Sequence, residues 1–379
     1  MQICSPLFGR GVGGEVITMK RLSFFIISLF LVVSAFAQKH DWENISVLES
    51  NREPARADFI PYQNEAQALQ RVREQSPWYL SLNGVWKFHW VPRPEERPQD
   101  FYRTDFDDVD WKTIPVPSNW EMQGYGTPLY VSSGYSFKID PPRVTTEPPK
   151  NYTAYKERNP VGSYRHYFRL PEAWKGRKVF IHFAGVQSFF YLWVNGQKVG
   201  FSKGSMELAE FDITGYVKPG DNQLAVEVYK YNDGSYIEDQ DMWRMGGIQR
   251  EVYLFSTGQV RISDFAVRTE LDKDYKDATL QIAPKLASYQ GDTLRGWSVQ
   301  AQLYDKEGRL VFDKPLSQDA EPILNIAYKA GVMNDRVPQR GHAKFAWLEA
   351  KVQNPAKWTA ETPNLYTLVL SLINKENQT

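Results

Sequence analysis

The chain has 379 residues, which is long for one ordinary domain and suits two or three domains. Its 45 basic and 45 acidic residues give a formal net charge of +0. A nucleic-acid-binding protein would carry a basic excess to neutralise phosphates, so we expect no nucleic-acid partner.

The first predicted element is an export signal within residues 1–37. Lys20 and Arg21 form a short basic region, and an almost unbroken apolar run follows over residues 22–36. Small residues at the end of this run predict cleavage after Ala37. The apolar run is shorter than the about 20 residues of a transmembrane helix. We therefore expect a periplasmic or secreted product with no membrane partner after cleavage.

Met19 offers an alternative start to the chain, which would leave residues 1–18 untranslated. Cys4 is the one cysteine and lies in the same leader. The mature chain would then contain no thiol, which excludes disulfides, zinc–thiolate sites and cysteine nucleophiles.

Residues 38–77 are polar and interrupted by prolines, and a short helix is predicted between Glu65 and Gln75. We interpret this segment as an N-terminal arm that lies over the following domain. It is also the segment that we expect to provide contacts between subunits of an oligomer.

Residues 78–257 consist of short strand patterns separated by turn residues. Asn83-Gly84 and Asn195-Gly196 are typical of tight hairpin turns, because Asn and Gly accept the positive φ that such turns require. Strands are predicted at Leu80–Phe88, Lys178–Phe183, Tyr191–Val194, Lys198–Phe201 and Arg250–Phe255. Short strands with almost no helical periodicity predict an antiparallel sandwich.

Residues 258–373 form a second predicted β unit, and residues 374–379 would begin a link to a further domain. Its strands are predicted at Val260–Val267, Ala278–Pro284, Trp297–Tyr304 and Leu365–Leu372. A unit of roughly 110 residues with this pattern suits an immunoglobulin-like sandwich.

The most distinctive segment is the acidic run Tyr231-Asn232-Asp233-Gly234-Ser235-Tyr236-Ile237-Glu238-Asp239-Gln240-Asp241-Met242-Trp243-Arg244-Met245. A buried strand would not tolerate three carboxylates within four positions, and a disordered tail would not carry so many aromatic residues. A half-buried loop with carboxylates beside aromatic surface fits recognition of a polyol or a metal. An acidic turn with its charges in solvent is the alternative.

Two further runs accompany it, Asp41-Trp42-Glu43-Asn44 and Val116-Pro117-Ser118-Asn119-Trp120-Glu121-Met122-Gln123-Gly124-Tyr125. Together, in this order, the three runs resemble the N-terminal part of family 2 glycoside hydrolases, and within that family the large bacterial β-galactosidases. The resemblance extends from about Asp41 to about Leu370. It implies an all-β fold, in which a jelly-roll (galactose-binding-like) sandwich precedes an immunoglobulin-like sandwich.

The resemblance also implies site residues. Asp241 matches the aspartate that holds a galactose hydroxyl and ligates a sodium ion, a chemistry that suits a carboxylate. Its alternative role is structural, as an acceptor for backbone N–H groups. Ser132 stands where the family has a substrate-contacting asparagine, two residues after Tyr130. Serine can still donate and accept a hydrogen bond, but it reaches less far.

Glu238 and Asp239 are expected to be structural, pairing with Arg244. A retaining glycosidase needs two carboxylic acids across the scissile bond. In the family both are glutamates of a (β/α)₈ barrel, a domain of about 250 residues that nothing in this chain resembles.

We therefore expect no catalytic residue in this chain, no activity of the chain alone, and Mg²⁺ only in the barrel. The histidines show no i, i+4 pairing, which excludes a zinc-protease helix. His89 and His182 lie in strand patterns and are predicted to be core or interface groups.

The predicted function is that of a β-galactosidase-type hydrolase, acting with retention on terminal β-galactosides as a homo-oligomer. This chain would contribute part of the sugar pocket. A secreted non-catalytic carbohydrate-binding protein is one alternative. A family 2 enzyme for a β-glucuronide or β-mannoside is another, because Ser132 departs from the galactosidase pattern.

Overall fold

The computed structural model describes residues 40–132, 134–147, 150–151, 154–238, 240–291, 293–325 and 346–379. The predicted leader and its cleavage after Ala37 lie outside these residues, as does Asp239. Within the described ranges, no helix is long and apolar enough to cross a membrane.

The first domain is built from short antiparallel strands. In chain order they are β1 (Glu49–Ser50), β2 (Tyr79–Ser81), β3 (Gly84–Val91), β4 (Lys112–Val116), β5 (Leu129–Val131), β6 (Val161–Leu170), β7 (Lys178–Phe183), β8 (Val186–Gln187), β9 (Phe189–Val194), β10 (Gln197–Lys203), β11 (Ala209–Asp212), β12 (Gly220–Tyr229), β13 (Met242–Arg244), β14 (Gly247–Ile248) and β15 (Val252–Thr257). A seven-stranded sheet has the order β1-β10-β9-β12-β6-β3-β4, and a four-stranded sheet has the order β11-β7-β15-β2. The pairs β13-β5 and β14-β8 lie outside both sheets.

The main core lies between these two sheets. Leu224, Val226 and Val228 of β12 point to it from the larger sheet, as the period-2 pattern predicts, while Ile181 and Leu254 approach from the smaller sheet. A second apolar cluster covers the other face of the larger sheet, where Trp42 of the arm stacks on Tyr229 with ring centroids 4.2 Å apart. Both faces of the larger sheet are therefore covered by apolar clusters.

Two turn predictions had different outcomes. Asn195 and Gly196 have φ of 50° and 81° and join β9 to β10 as a hairpin, so that prediction is confirmed. The predicted turn at Asn83-Gly84 does not form a hairpin, because β2 and β3 belong to different sheets. Asn83 instead accepts a hydrogen bond from Val252 N in β15 (2.9 Å).

Among the residues that the structure describes, helices are short. Helix α1 (Glu65–Gln70) begins after Asn64, whose side chain accepts a hydrogen bond from Gln67 N (3.0 Å). The 3₁₀ segments are Asp41–Glu43, Arg73–Gln75, Pro94–Glu96, Trp120–Gln123, Glu172–Trp174 and Asp233–Tyr236. Residues 320–325 are also helical.

The second domain contains β16 (Val260–Leu271), β17 (Ala278–Ser288), β18 (Ser298–Tyr304), β19 (Leu316–Asp319), β20 (Leu348–Val352) and β21 (Thr367–Ile373). Two three-stranded sheets, β16-β17-β20 and β19-β18-β21, enclose its core. The all-β prediction of a jelly-roll sandwich followed by an immunoglobulin-like sandwich is confirmed, although β19 and β20 were not predicted.

The arm contacts both domains. Arg56 makes a buried pair with Glu210 of β11 (2.6 Å), while Ala57 N donates to Asp264 of β16 (3.0 Å). Glu210 also bonds to His182, which is buried as predicted. The prediction for His89 is wrong with respect to the core, because this side chain is exposed and stacks on Trp111.

Candidate functional site

The two predicted sugar-binding residues lie at one end of the β5–β13 pair. Val131 is paired with Met242 and Tyr130 with Trp243 in antiparallel register. Continuing this register by one residue places Ser132 opposite Asp241, and both residues are exposed. The structure therefore brings together two residues that are distant in the sequence.

Tyr130 fixes the Asp241 carboxylate. Its hydroxyl donates a 2.5 Å hydrogen bond to Asp241 Oδ1, and this interaction raises the pKa of the Tyr130 phenol. Tyr130 is 51% exposed and Trp243 is 52% exposed, with ring centroids 5.6 Å apart. The sequence pattern did not predict Tyr130 itself as a site residue. The alternation of Tyr130, Val131 and Ser132, which puts Tyr130 and Ser132 on the same side of a strand, is the sequence signal that could have identified it.

The segment before Asp241 is held in a defined conformation by its own side chains. We call residues 232–238 and 240–241 the site loop. Asn232 is buried and caps the 3₁₀ segment Asp233–Tyr236, because its side chain accepts from Gly234 N (2.6 Å) and its backbone N donates to Ser235 Oγ (3.1 Å). The loop therefore begins from a rigid anchor.

Glu238 has a structural role in the loop, as expected, but its partner is Ser205. Its two carboxylate oxygens accept from Ser205 N (2.8 Å) and Ser205 Oγ (2.6 Å). Arg244, the expected partner, donates to the backbone carbonyl of Glu238 (3.2 Å). Of the two carboxylates of Glu238 and Asp241, that of Asp241 is thus the one that faces solvent.

The Val116–Tyr125 run contacts the two residues that flank the acidic run, Lys230 and Gly246. The Glu121 carboxylate accepts from Lys230 Nζ (2.7 Å) and Gly246 N (2.9 Å), and both charged side chains are buried. Trp120 is fully buried and its backbone N donates to Gly246 O (3.0 Å). Glu121 and Trp120 thus hold the chain just before and just after the acidic run.

Asp241 alone does not form a complete cation site. Hard cations such as Ca²⁺ take six to eight oxygen ligands in proteins. The described ranges contain no group of three or more His, Cys, Asp or Glu side chains that could hold a metal. A sodium ion at Asp241 would therefore need further oxygen ligands of other kinds, such as carbonyl, hydroxyl or water oxygens.

Comparison with known proteins follows the same division of the chain. The family description "Glycosyl hydrolases family 2, sugar binding domain" matches residues 79–258, and "Glycosyl hydrolases family 2" matches residues 260–379. The chain belongs to glycoside hydrolase family 2. It therefore carries two β domains of that family, one of them described as sugar-binding.

Curated relatives within family 2 are longer than this chain. A β-galactosidase of Priestia megaterium is 40% identical over 335 residues, which cover 88% of this chain and 30% of that protein. A β-galactosidase of Psychromonas ingrahamii is 35% identical over 345 residues, which cover 91% of this chain and 30% of that protein. The chain thus spans about 30% of the length of these relatives.

Solved structures confirm the fold at lower identity. A Bacteroides uniformis β-glucuronidase has a TM-score of 0.56 and 22% identity, with 79% of this chain and 31% of that chain covered. A β-glycosidase from Bacteroides vulgatus has a TM-score of 0.54 and 20% identity, with 79% and 32% covered. At these identities the likeness concerns the fold alone.

Proposed function

We propose that this family 2 chain is the N-terminal, non-catalytic portion of a retaining β-galactosidase that removes terminal non-reducing β-D-galactose residues. The observation that carries the proposal is the exposed Asp241 carboxylate, held by Tyr130 beside Ser132. The two curated relatives at 40% and 35% identity support the choice of galactoside.

In this proposal Asp241 accepts hydrogen bonds from sugar hydroxyl groups. A carboxylate has lone pairs for several such donors, and Tyr130 leaves Oδ2 free to turn towards a ligand. Ser132 would donate or accept one further hydrogen bond. Asp241 would also supply one ligand to a sodium ion whose other oxygens come from a following barrel domain.

The chemical step would belong to that barrel. Retaining hydrolysis requires two carboxyl groups about 5–5.5 Å apart, one as nucleophile and one as acid/base. Among the described residues of the site loop, Glu238 accepts from Ser205 and Asp233 accepts from Lys203, so these residues offer Asp241 no second free carboxylate. We therefore propose that the chain alone does not hydrolyse substrate, and that the barrel contributes both glutamates and the magnesium ligands.

The setting of the protein is part of the same proposal. The basic and apolar pattern of residues 20–37 supports export to the periplasm or the exterior. We also propose that the complete enzyme is a homo-oligomer with contacts through residues of the arm.

The test begins with the transcript through codon 379. An open frame that continues into alternating strands and helices would supply the complete enzyme for assay with nitrophenyl β-galactoside, β-glucuronide and β-mannoside. We expect the galactoside to be preferred and Asp241→Asn to reduce kcat/KM by at least about tenfold, the equivalent of one lost charged hydrogen bond. Asp221→Asn, an exposed aspartate on β12, is the matched control.

Three results would contradict this proposal. They are a stop at codon 380, preference for another sugar, or full activity of the Asp241→Asn enzyme. A preference for glucuronide or mannoside would show that the site serves a different family 2 substrate.

A carbohydrate-binding protein without catalysis is the second candidate. The half-exposed rings of Tyr130 and Trp243 beside Asp241 favour it, because aromatic rings stack on sugar faces. Retention of the 379-residue chain on immobilised galactose, together with a genuine stop codon, would support this candidate. Loss of that retention in Asp241→Asn would identify the same site.

A further inference from the structure

Lys203, the last residue of β10, has a buried ammonium group. Its side chain is 5% exposed, and Nζ donates to the two carboxylate oxygens of Asp233 (2.8 and 2.9 Å) and to the backbone carbonyl of Asn44 (3.0 Å). Lysine is almost never this buried unless it is paired. The three donors of the ammonium group are thus matched by three acceptors.

The partners of Lys203 belong to two separate segments. Asn44 ends the 3₁₀ segment Asp41–Glu43 of the arm, 159 residues from Lys203. Asp233 lies at the start of the site loop. One ammonium group therefore joins the arm, the end of β10 and the loop that carries Asp241.

The chain just after Lys203 makes a second contact with the site loop. Ser205, two residues after Lys203, binds the Glu238 carboxylate through its backbone N and its hydroxyl. Asp233 and Glu238 precede Asp241 by eight and three residues. The path of the loop towards Asp241 is consequently fixed at two points by residues 203–205.

The arm reaches the site loop by another route as well. Glu43 Oε1 accepts hydrogen bonds from Val144 N (2.9 Å) and Thr145 Oγ1 (3.0 Å). Close to these residues, Arg143 O accepts from the hydroxyl of Tyr236 (2.6 Å), a residue of the site loop. Arm residues 43 and 44 thus contact the loop through a neighbouring segment and through Lys203.

We infer that Lys203 is a positioning residue for Asp241, and that it acts by coupling the arm to the site loop. This inference rests on the proposed sugar-binding role of Asp241, although the coupling itself is a property of the fold. Loss of the ammonium group would free Asp233 and Asn44 together. The loop would then sample more conformations, while the sandwich sheets on either side would keep their hydrogen bonds.

The experiment compares amide hydrogen exchange in the 379-residue chain and three variants. Lys203→Met removes the ammonium group, and Lys203→Met with Asp233→Asn also removes the carboxylate that would be left unpaired. Lys285→Met removes an exposed lysine that pairs with Asp264 and serves as the control. Urea unfolding of the same proteins measures global stability.

We expect both Lys203 variants to exchange at least about tenfold faster over residues 236–245, with β9 and β12 unchanged. The double variant should regain most of the stability lost by Lys203→Met, because it buries no unpaired charge. Its loop exchange should nevertheless remain fast. If Lys203 and Asp233 formed only a structural ion pair, exchange at residues 236–245 would return to the parent rate in the double variant, whose stability is restored.

Two results would overturn the inference. One is unchanged exchange at residues 236–245 in both Lys203 variants, and the other is acceleration spread equally over the sheets. Binding to immobilised galactose provides a separate readout, in which the Lys203 variants should be retained less than the parent chain. If the parent chain itself is not retained, the proposed sugar binding by the chain alone fails, while the exchange comparison still decides the coupling.

Discussion

Tyr130 and Asp241 are joined by a 2.5 Å hydrogen bond across 111 residues of sequence. Both residues lie at the surface, so the bond orients a carboxylate without burying it. The β5–β13 pairing brings them together, since it sets Tyr130 opposite Trp243.

Replacing Tyr130 by Phe should weaken sugar binding through Asp241. Without the hydroxyl, the carboxylate rotates more freely and must be ordered when the ligand binds. We expect a loss of affinity for galactose of about three- to tenfold, with stability changed by less than about 1 kcal/mol because the site is exposed. Equilibrium binding of galactose to the complete enzyme measures the effect.

Tyr275→Phe is the control for that variant, because Tyr275 is exposed in the second domain. Equal galactose affinities of the Tyr130→Phe and Tyr275→Phe proteins would show that Tyr130 does not contribute to sugar binding. The pKa of the Tyr130 phenol should also fall towards its ordinary value in Asp241→Asn, which an ultraviolet titration can follow.

Gly246→Ala should destabilise the first domain strongly. A Cβ atom at Gly246 would lie 2.2 Å from the Trp120 indole, which is fully buried and cannot move aside. Overpacking of this kind costs about 1–3 kcal/mol, and we expect a value near the upper end. Gly215→Ala meets no atom within 4 Å and should change the urea midpoint little.

The buried pair of Lys230 and Glu121 predicts a rescue by double substitution. Lys230→Met leaves the Glu121 carboxylate buried without its cation, and we expect a loss of about 3–5 kcal/mol in the free energy of unfolding. Lys230→Met combined with Glu121→Gln should recover most of this loss. Failure of the double variant to recover would show that the ion pair itself, and not the orphaned charge, provides the stability.

Glu227 makes stability depend on pH. Burial raises the pKa of this carboxyl to about 7, although Arg97 and the Tyr229 hydroxyl both approach it. The folded state therefore binds more protons than the unfolded state between about pH 4.5 and 7, so the contribution of Glu227 to stability falls as pH rises through this range. Above pH 7 the loss is complete.

Glu227→Gln should remove that contribution to the pH dependence. Between pH 5 and pH 8, we expect the parent to lose up to about 3 kcal/mol relative to the variant. Urea unfolding at the two pH values measures this difference, and Glu172→Gln, at an exposed glutamate, is the control. Parallel pH profiles for parent and Glu227→Gln would contradict the prediction.

Local sequence patterns predicted about half of the strands and one of the two hairpin turns. The strand Lys178–Phe183 has its predicted bounds, because alternating and β-branched residues end at clear turn signals. The hairpin predicted at Asn83-Gly84 is wrong because turn preferences are local and do not determine which strands pair. Strand β2 instead pairs with β15, about 170 residues further along the chain.

Prediction of the candidate site from the sequence is limited in the same way, to local features. Resemblance to a family identified Asp241 and Ser132, and the structure places them at the same end of one strand pair. Neither the bond from Tyr130 nor the link from Lys203 to Asn44 could be predicted, because each joins residues more than 100 positions apart. Long-range pairs of this kind depend on the assembled sheets rather than on local propensity.

Ser132 follows β5, and the β5–β13 pair belongs to neither sheet of the sandwich. Its side chain is exposed, so a change of residue type at this position costs little folding free energy. Position 132 can therefore diverge between relatives while the sandwich stays the same. If the proposed sugar contact is made here, single substitutions at this position could change the sugar without compensating mutations in the core.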